Sequence, residues 1–168
     1  MKPPLPLEDT AEDMLRSCHA KMRQFSAILV RTIDAWHADE SHPQVPAAAA
    51  SLGRYFREAL PMHARDEDES ISPRLVVAHP ELAPMLAELE QGHVALKTLL
   101  PPVLAALDEL AANGAPEDPE LHEHVTALVE HLEAHAAMEE RGWFRLFGEL
   151  PEAERRAVRL EMAARRAR

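Results

Sequence analysis

Apolar residues recur at three- and four-residue intervals through four long stretches of this chain, and short breaker-rich joints separate the stretches. That spacing is the period of an α-helix with one apolar face. In the first stretch, residues 10–38, the repeating positions are Leu15, Cys18/His19, Met22, Phe25, Leu29, Ile33 and Trp36, with Thr10 and Asp13 as a start signal. The second, residues 46–71, places Leu52, Phe56, Leu60, His63, Glu67 and Ile71 inward. Pro61 lies inside it and is expected to kink it or free a carbonyl. The joint SPRLVVAHP, residues 72–80, leads to Pro80, which can begin the third helix. That helix shows Leu82, Met85/Leu86, Leu89, His93, Leu96, Leu100, Val103, Leu107 and Leu110 despite Pro101 and Pro102, and ends at Asn113-Gly114. Asp118-Pro119 opens the fourth, whose seam is Leu121, Val125, Leu128, Leu132, His135, Glu139, Gly142 and Leu146. Short joints between long amphipathic helices predict an all-α, up-down-up-down four-helix bundle over residues 1–150. After it, residues 151–168 are Arg-rich with few large apolar side chains. They read as a short fifth amphipathic helix lying across the bundle; a partner-binding tail is the alternative.

The chain has 168 residues, which suits one domain. The formal net charge of −11 argues against non-specific nucleic-acid binding and against an anionic membrane surface. A single Cys excludes an internal disulfide. The opening MKPPLPLEDT has no apolar leader segment, and no apolar run approaches the ~20 residues that span a bilayer. A cytoplasmic protein is the expectation.

Ten His are a heavy load for a chain of this size. Two of the seams carry His and Glu where a pure core would have Leu: His63-x-x-x-Glu67 in the second helix and His135-x-x-x-Glu139 in the fourth. Residues four apart share a helix face, about one turn or ~6 Å along the axis, so each pair can reach one bundle centre. The first and third helices each offer one His in the same seam, His19 and His93. The arrangement is repetitive, since His19 to His93, His63 to His135 and Glu67 to Glu139 are separated by nearly equal lengths of chain. LRSCHAKM pairs with LEQGHVAL, and HARDEDESI with HAAMEERGW. In an up-down-up-down bundle all six residues fall near one end. Burying them without partners would be costly, and two bound cations remove that cost. Imidazole and carboxylate without thiolate suit non-haem iron, with manganese and zinc less favoured. A ferritin-like site would need Glu-x-x-His on two helices, and only Glu90-x-x-His93 has that spacing in a useful place.

At these residues the sequence resembles the hemerythrin-like, or HHE cation-binding, family, over residues from about 14 to 147. The motif order is His, His-x-x-x-Glu, His, His-x-x-x-Glu. The resemblance implies a four-helix bundle holding two Fe ions in an oxo- or hydroxo-bridged centre. It implies His19 and His63 on one iron, His93 and His135 on the other, and Glu67 and Glu139 as bridges. Oxygen-carrying hemerythrins have a second His one turn after the helix-three His, where this chain has Lys97. They also have a longer His-to-Asp spacing on helix four, and some regulatory members carry a Glu where Ala64 stands. Four His and two Glu leave more positions for water or an exogenous ligand. The function expected is therefore binding of, or reaction with, a small ligand such as O2, NO or peroxide. A di-iron oxidase or peroxidase and an iron- or redox-responsive interaction protein are the alternatives; no protein partner is identified.

Around the six, His131 lies one turn before His135 and is a weaker candidate for an additional ligand, a pocket-lining or surface His being the simpler reading. Asp66 and Glu140 are read as hydrogen-bond acceptors behind the ligands or as solvated acids. Arg65, Asp68 and Glu69 are read as the wet side of their turns, and Lys97 as pointing outward. His37, His42, His122 and His124 are assigned to the surface. Met22, Phe25, Phe56, Leu60, Leu96 and Leu132 form an apolar wall above the site.

Overall fold

A computed structural model describes residues 10–167. The described residues are almost entirely helical and contain no strand. Helix α1 is Ala11–Ala38 and α2 spans residues 45–78. Helices α3, Ala83–Ala111, and α4, Leu121–Gly142, complete the four long elements. Two shorter helices follow, α5 over Phe144–Glu149 and α6 over Glu152–Arg166. Helix α1 packs on α2 and α4, and α3 packs on the same two. No helix among the described residues is long and apolar enough to cross a membrane. The reading of the N-terminal segment as free of a leader falls on residues 1–9, outside the described residues.

The start of α1 follows from its sequence. Thr10 Oγ1 accepts a hydrogen bond from the Asp13 backbone N–H at 3.1 Å, and the Asp13 carboxylate accepts one from the Thr10 N–H at 3.1 Å. This reciprocal box satisfies two backbone donors that the helix start would otherwise leave unpaired. At the end of α3, Asn113 takes a left-handed backbone with φ of 60°, and the Gly114 N–H donates to the Glu109 carbonyl at 2.8 Å. Asn tolerates that conformation and closes the helix.

Helix α2 corrects the expected boundary at residue 71. It continues to Ala78, so most of the expected 72–80 joint is helical. The reason lies in two widened turns, Tyr55–Ala59 and Glu67–Ile71, in which the Leu60 N–H donates to the Tyr55 carbonyl and the Ser72 N–H to the Glu67 carbonyl. Each ends two residues before a proline, Pro61 and Pro73. A proline inside an α-helix lacks the N–H for the i−4 carbonyl and its ring clashes with that carbonyl. A turn bonded i to i+5 moves the obstructed carbonyl aside and lets the helix go on. The fourth helix is also corrected. It ends at Gly142, and Leu146 belongs to α5, with the buried Trp143 as the single turn residue between the two helices.

The apolar core forms two clusters. One gathers Met22, Leu29, Ile33, Phe56, Leu60, Leu96, Val103, Leu107, Leu128 and Leu132. The other gathers Leu15, Ile71, Leu75, Leu86, Leu89, Trp143, Phe147, Val158 and Met162. Each long helix passes from one cluster to the other. Where it does so it carries His19, between Leu15 and Met22; His63 and Glu67, between Leu60 and Ile71; His93, between Leu89 and Leu96; or His135 and Glu139, between Leu132 and Trp143. A polar layer is thus closed above and below by apolar side chains.

Helix α6 lies against α1 and α2. Its Val158 and Met162 enter the second cluster. Much of its charge is matched within the chain: Arg155 reaches Glu12 at 3.0 Å, and Glu154 and Glu161 each meet Arg74 at 2.8 Å.

Candidate metal centre

Within the layer the six side chains converge on one another. His19, His63, Glu67 and Glu139 form one group, and Glu67, His93, His135 and Glu139 a second, the nearest N and O atoms within each lying within 4.8 Å of one another. The two glutamates belong to both groups. Glu67 sets Oε1 3.3 Å from His63 Nε2 and Oε2 3.2 Å from His93 Nε2. Glu139 sets Oε2 2.8 Å from His19 Nε2 and Oε1 2.6 Å from His135 Nε2. Each carboxylate therefore turns one oxygen to each histidine pair. Within a pair the rings stand close, His19 to His63 at 5.1 Å between centroids and His93 to His135 at 4.5 Å.

These short distances are not hydrogen bonds. The Nε2 atoms of all four His, Oε1 of Glu67 and both oxygens of Glu139 are buried and lack an aligned hydrogen-bond partner. Buried polar atoms in folded proteins are nearly always paired, so a cluster of them aimed at shared points needs an explanation. A cation accepts lone pairs from every direction, and nitrogen and carboxylate-oxygen donors are a set that transition metals take. The residues fit a metal on this count.

The outer nitrogens of two rings are fixed. His19 Nδ1 lies 2.9 Å from Glu140 Oε1, and His93 Nδ1 lies 2.9 Å from Asp68 Oδ1. A carboxylate there accepts the Nδ1 proton, which leaves Nε2 with its lone pair facing inward. Glu140 is itself held by Arg23, at 2.8 Å to Nη1, and Arg23 also meets Glu133 at 2.9 Å. The Arg23 hydrogen bond, with that of His19, outweighs desolvation and holds the Glu140 carboxyl down at about 2.

The charges in the layer are strongly coupled. Burial alone would depress the His63 imidazole, but Glu67, Cys18 and Glu139 outweigh it and raise it to about 10. Burial also opposes His93, and Asp68 and Glu67 raise it to about 9. His135 rises against its own burial through Glu139 and Glu67. Glu67 lies well below the usual carboxylate range, because the surrounding imidazoles overcome its desolvation. The metal-free layer thus holds protons tightly.

Other candidates fall in different places. His131 is half-buried and its Nε2 lies 2.9 Å from the Gly92 carbonyl; it is in neither group. Gly92 allows a close helix approach, since a Cβ there would come within 2.6 Å of His135 Nδ1. Asp66 corrects the solvated reading: it is 0% exposed, bonded to Arg165 at 2.8 Å and Arg166 at 2.6 Å. Asp68 corrects it as well, being the acceptor on His93. The internal repeat contained the signal for Asp68, because it follows Glu67 as Glu140 follows Glu139. Cys18 is half-buried, with Sγ 3.6 Å from Arg166 Nη2. Phe144, outside the expected wall, stacks on His19 at 5.1 Å between centroids.

The family model for the hemerythrin HHE cation binding domain matches residues 10–147. The chain belongs to the hemerythrin HHE cation-binding domain family. That match takes in the four long helices and all six convergent side chains, and ends before α6. The chain is also similar to an uncharacterised protein of Haemophilus influenzae, 26% identical over 129 residues, covering 76% of this chain and 73% of that one.

Proposed function

We propose that this HHE-family chain is a non-haem di-iron protein that binds or reacts with a small ligand such as O2, NO or peroxide, on an up-down-up-down four-helix bundle. The observation that carries this reading is the division of each carboxylate between two histidine pairs. His19 and His63 would hold one iron, His93 and His135 the other, and Glu67 and Glu139 would bridge them. A nitrogen and oxygen donor set without thiolate favours iron over zinc or manganese in this reading. Bound iron would supply open coordination positions and exchangeable electrons to a small ligand. The protein's own part is to aim the donors and restrict access. Glu140 and Asp68 keep the His19 and His93 rings in the tautomer that faces inward. Met22, Phe56, Leu60, Leu96 and Leu132 are buried beside the layer and keep out water and larger molecules. The cytoplasm is the proposed location.

Anaerobic reconstitution with Fe(II), followed by metal analysis and an optical spectrum on adding O2 or NO, tests the reading. Two irons per chain are expected, with His63→Ala and Glu139→Ala each lowering the content. A stable, reversible charge-transfer band indicates binding, and rapid bleaching to ferric product indicates oxidation chemistry. A content well under two that neither substitution lowers would sink the proposal.

A further inference from the structure

Helix α6 lies beyond the family match, yet its last turn reaches the segment that carries Glu67. Asp66 directly precedes Glu67 and is fully buried, an expensive place for a carboxylate. Neither of its oxygens belongs to the metal-binding groups. Oδ1 accepts from Arg165 Nη1 at 2.8 Å and Oδ2 from Arg166 Nη2 at 2.6 Å. Arg165 also donates to Ser70 Oγ at 2.7 Å and to Glu69 Oε2 at 3.2 Å. Arg74 Nη1 donates to the Ser70 carbonyl at 2.7 Å while its other nitrogens meet Glu154 and Glu161 of α6. All of these grips fall on residues 66–74, across the widened turn Glu67–Ile71. A widened turn changes the angle at which its first side chain leaves the helix, so what fixes this turn fixes Glu67. Arg166 further touches Cys18, the neighbour of His19, so the same helix end meets both elements carrying the His19 and His63 pair.

We propose that α6 is a latch on the metal centre: Arg165 and Arg166, through Asp66, hold the turn from which Glu67 reaches both histidine pairs, so that metal binding and the docking of α6 reinforce each other. Asp66, Arg165 and Arg166 are positioning residues that act through Glu67. The inference rests on the di-iron reading above. Coupling of this kind is reciprocal, so if the latch strengthens metal binding, the metal must tighten the latch by the same factor.

The test uses the full chain. Fe(II) affinity is measured anaerobically by competition with a chromogenic chelator, and hydrogen–deuterium exchange is followed over residues 158–166 with and without Fe(II). Asp66→Asn and the pair Arg165→Ala/Arg166→Ala are expected to weaken Fe(II) by about tenfold to a hundredfold, the range seen when groups behind metal ligands are lost. Fe(II) is expected to slow exchange in α6 of the wild type and not in these variants. Arg155→Ala, which removes the α6 contact to Glu12 far from the latch, should leave the affinity within about twofold. A purely structural helix would change the stability of free and loaded protein equally and leave affinity and Fe(II)-dependent exchange unmoved, which overturns the latch. Where a variant does not fold, the wild-type exchange comparison decides alone. A wild-type chain that takes up two irons without any change in α6 exchange overturns the latch and spares the di-iron reading; one that takes up none overturns both.

Discussion

His19 Nδ1 faces Glu140 Oε1 at 2.9 Å, across the gap between α1 and α4. The contact decides which ring nitrogen is free to bind. Replacing Glu140 with Gln removes the charge that holds the Nδ1 proton and releases Arg23. The expected result is a loss of metal affinity of about tenfold or more, with the fold intact. Asp68→Asn should do the same through His93. Chelator competition measures both, and wild-type affinity in the two variants would show that these contacts do not orient the rings.

Free and loaded protein should respond differently to pH. His63 and His93 are raised to about 10 and about 9 from an ordinary value of 6.5 in the metal-free protein. A raised pKa contributes stability that is complete below the unfolded value and is lost as pH climbs through the folded one. Metal-free protein should therefore weaken between roughly pH 6.5 and 10 through these groups. Ligands must be deprotonated to bind a cation, so the loaded protein has no such protons to lose and keeps its stability over that window. The gap between loaded and free melting temperatures should widen from pH 6.5 to pH 9; a constant gap would contradict the assignment.

Gly92→Ala and Gly142→Ala should differ. A Cβ at Gly92 comes within 2.6 Å of His135 Nδ1, on a ring that cannot move without leaving the layer. A Cβ at Gly142 meets Met85, whose flexible chain can re-route. Gly92→Ala is expected to lower metal content, and Gly142→Ala to leave it near the wild-type value. Equal contents by metal analysis would mean that the α3–α4 approach does not set His135.

Leu132→Ala should cost about 2–5 kcal/mol of stability, since it opens a cavity at a buried site in the apolar cluster next to His135. Denaturant unfolding of metal-free protein reads that loss. A cost under ~1 kcal/mol would show that the cluster closes around the gap.

The helices were legible because their seams keep a regular period, and the six convergent residues were legible because they interrupt those seams at repeated offsets. The end of α2 was not. Pro73 looks like a terminator unless the turn before it widens, as Glu67–Ile71 does. Asp66 escaped for a related reason. One residue from Glu67, it reads as wet until Arg165 and Arg166, on a helix distant in sequence, cover it. The expected wall of Met22, Phe56, Leu60, Leu96 and Leu132 is buried, whereas Phe25 is only half-buried and stacks on Tyr55 at 4.0 Å between centroids.

The two widened turns give α2 a mechanical character that its neighbours lack. It is three short rods, Val45–Arg54, Leu60–Asp66 and Ser72–Ala78, joined by the two widened turns. The middle rod holds His63, and Glu67 begins the second of those turns. His19, His93, His135 and Glu139 ride on uninterrupted rods. The chamber between them has three continuous walls and one jointed wall.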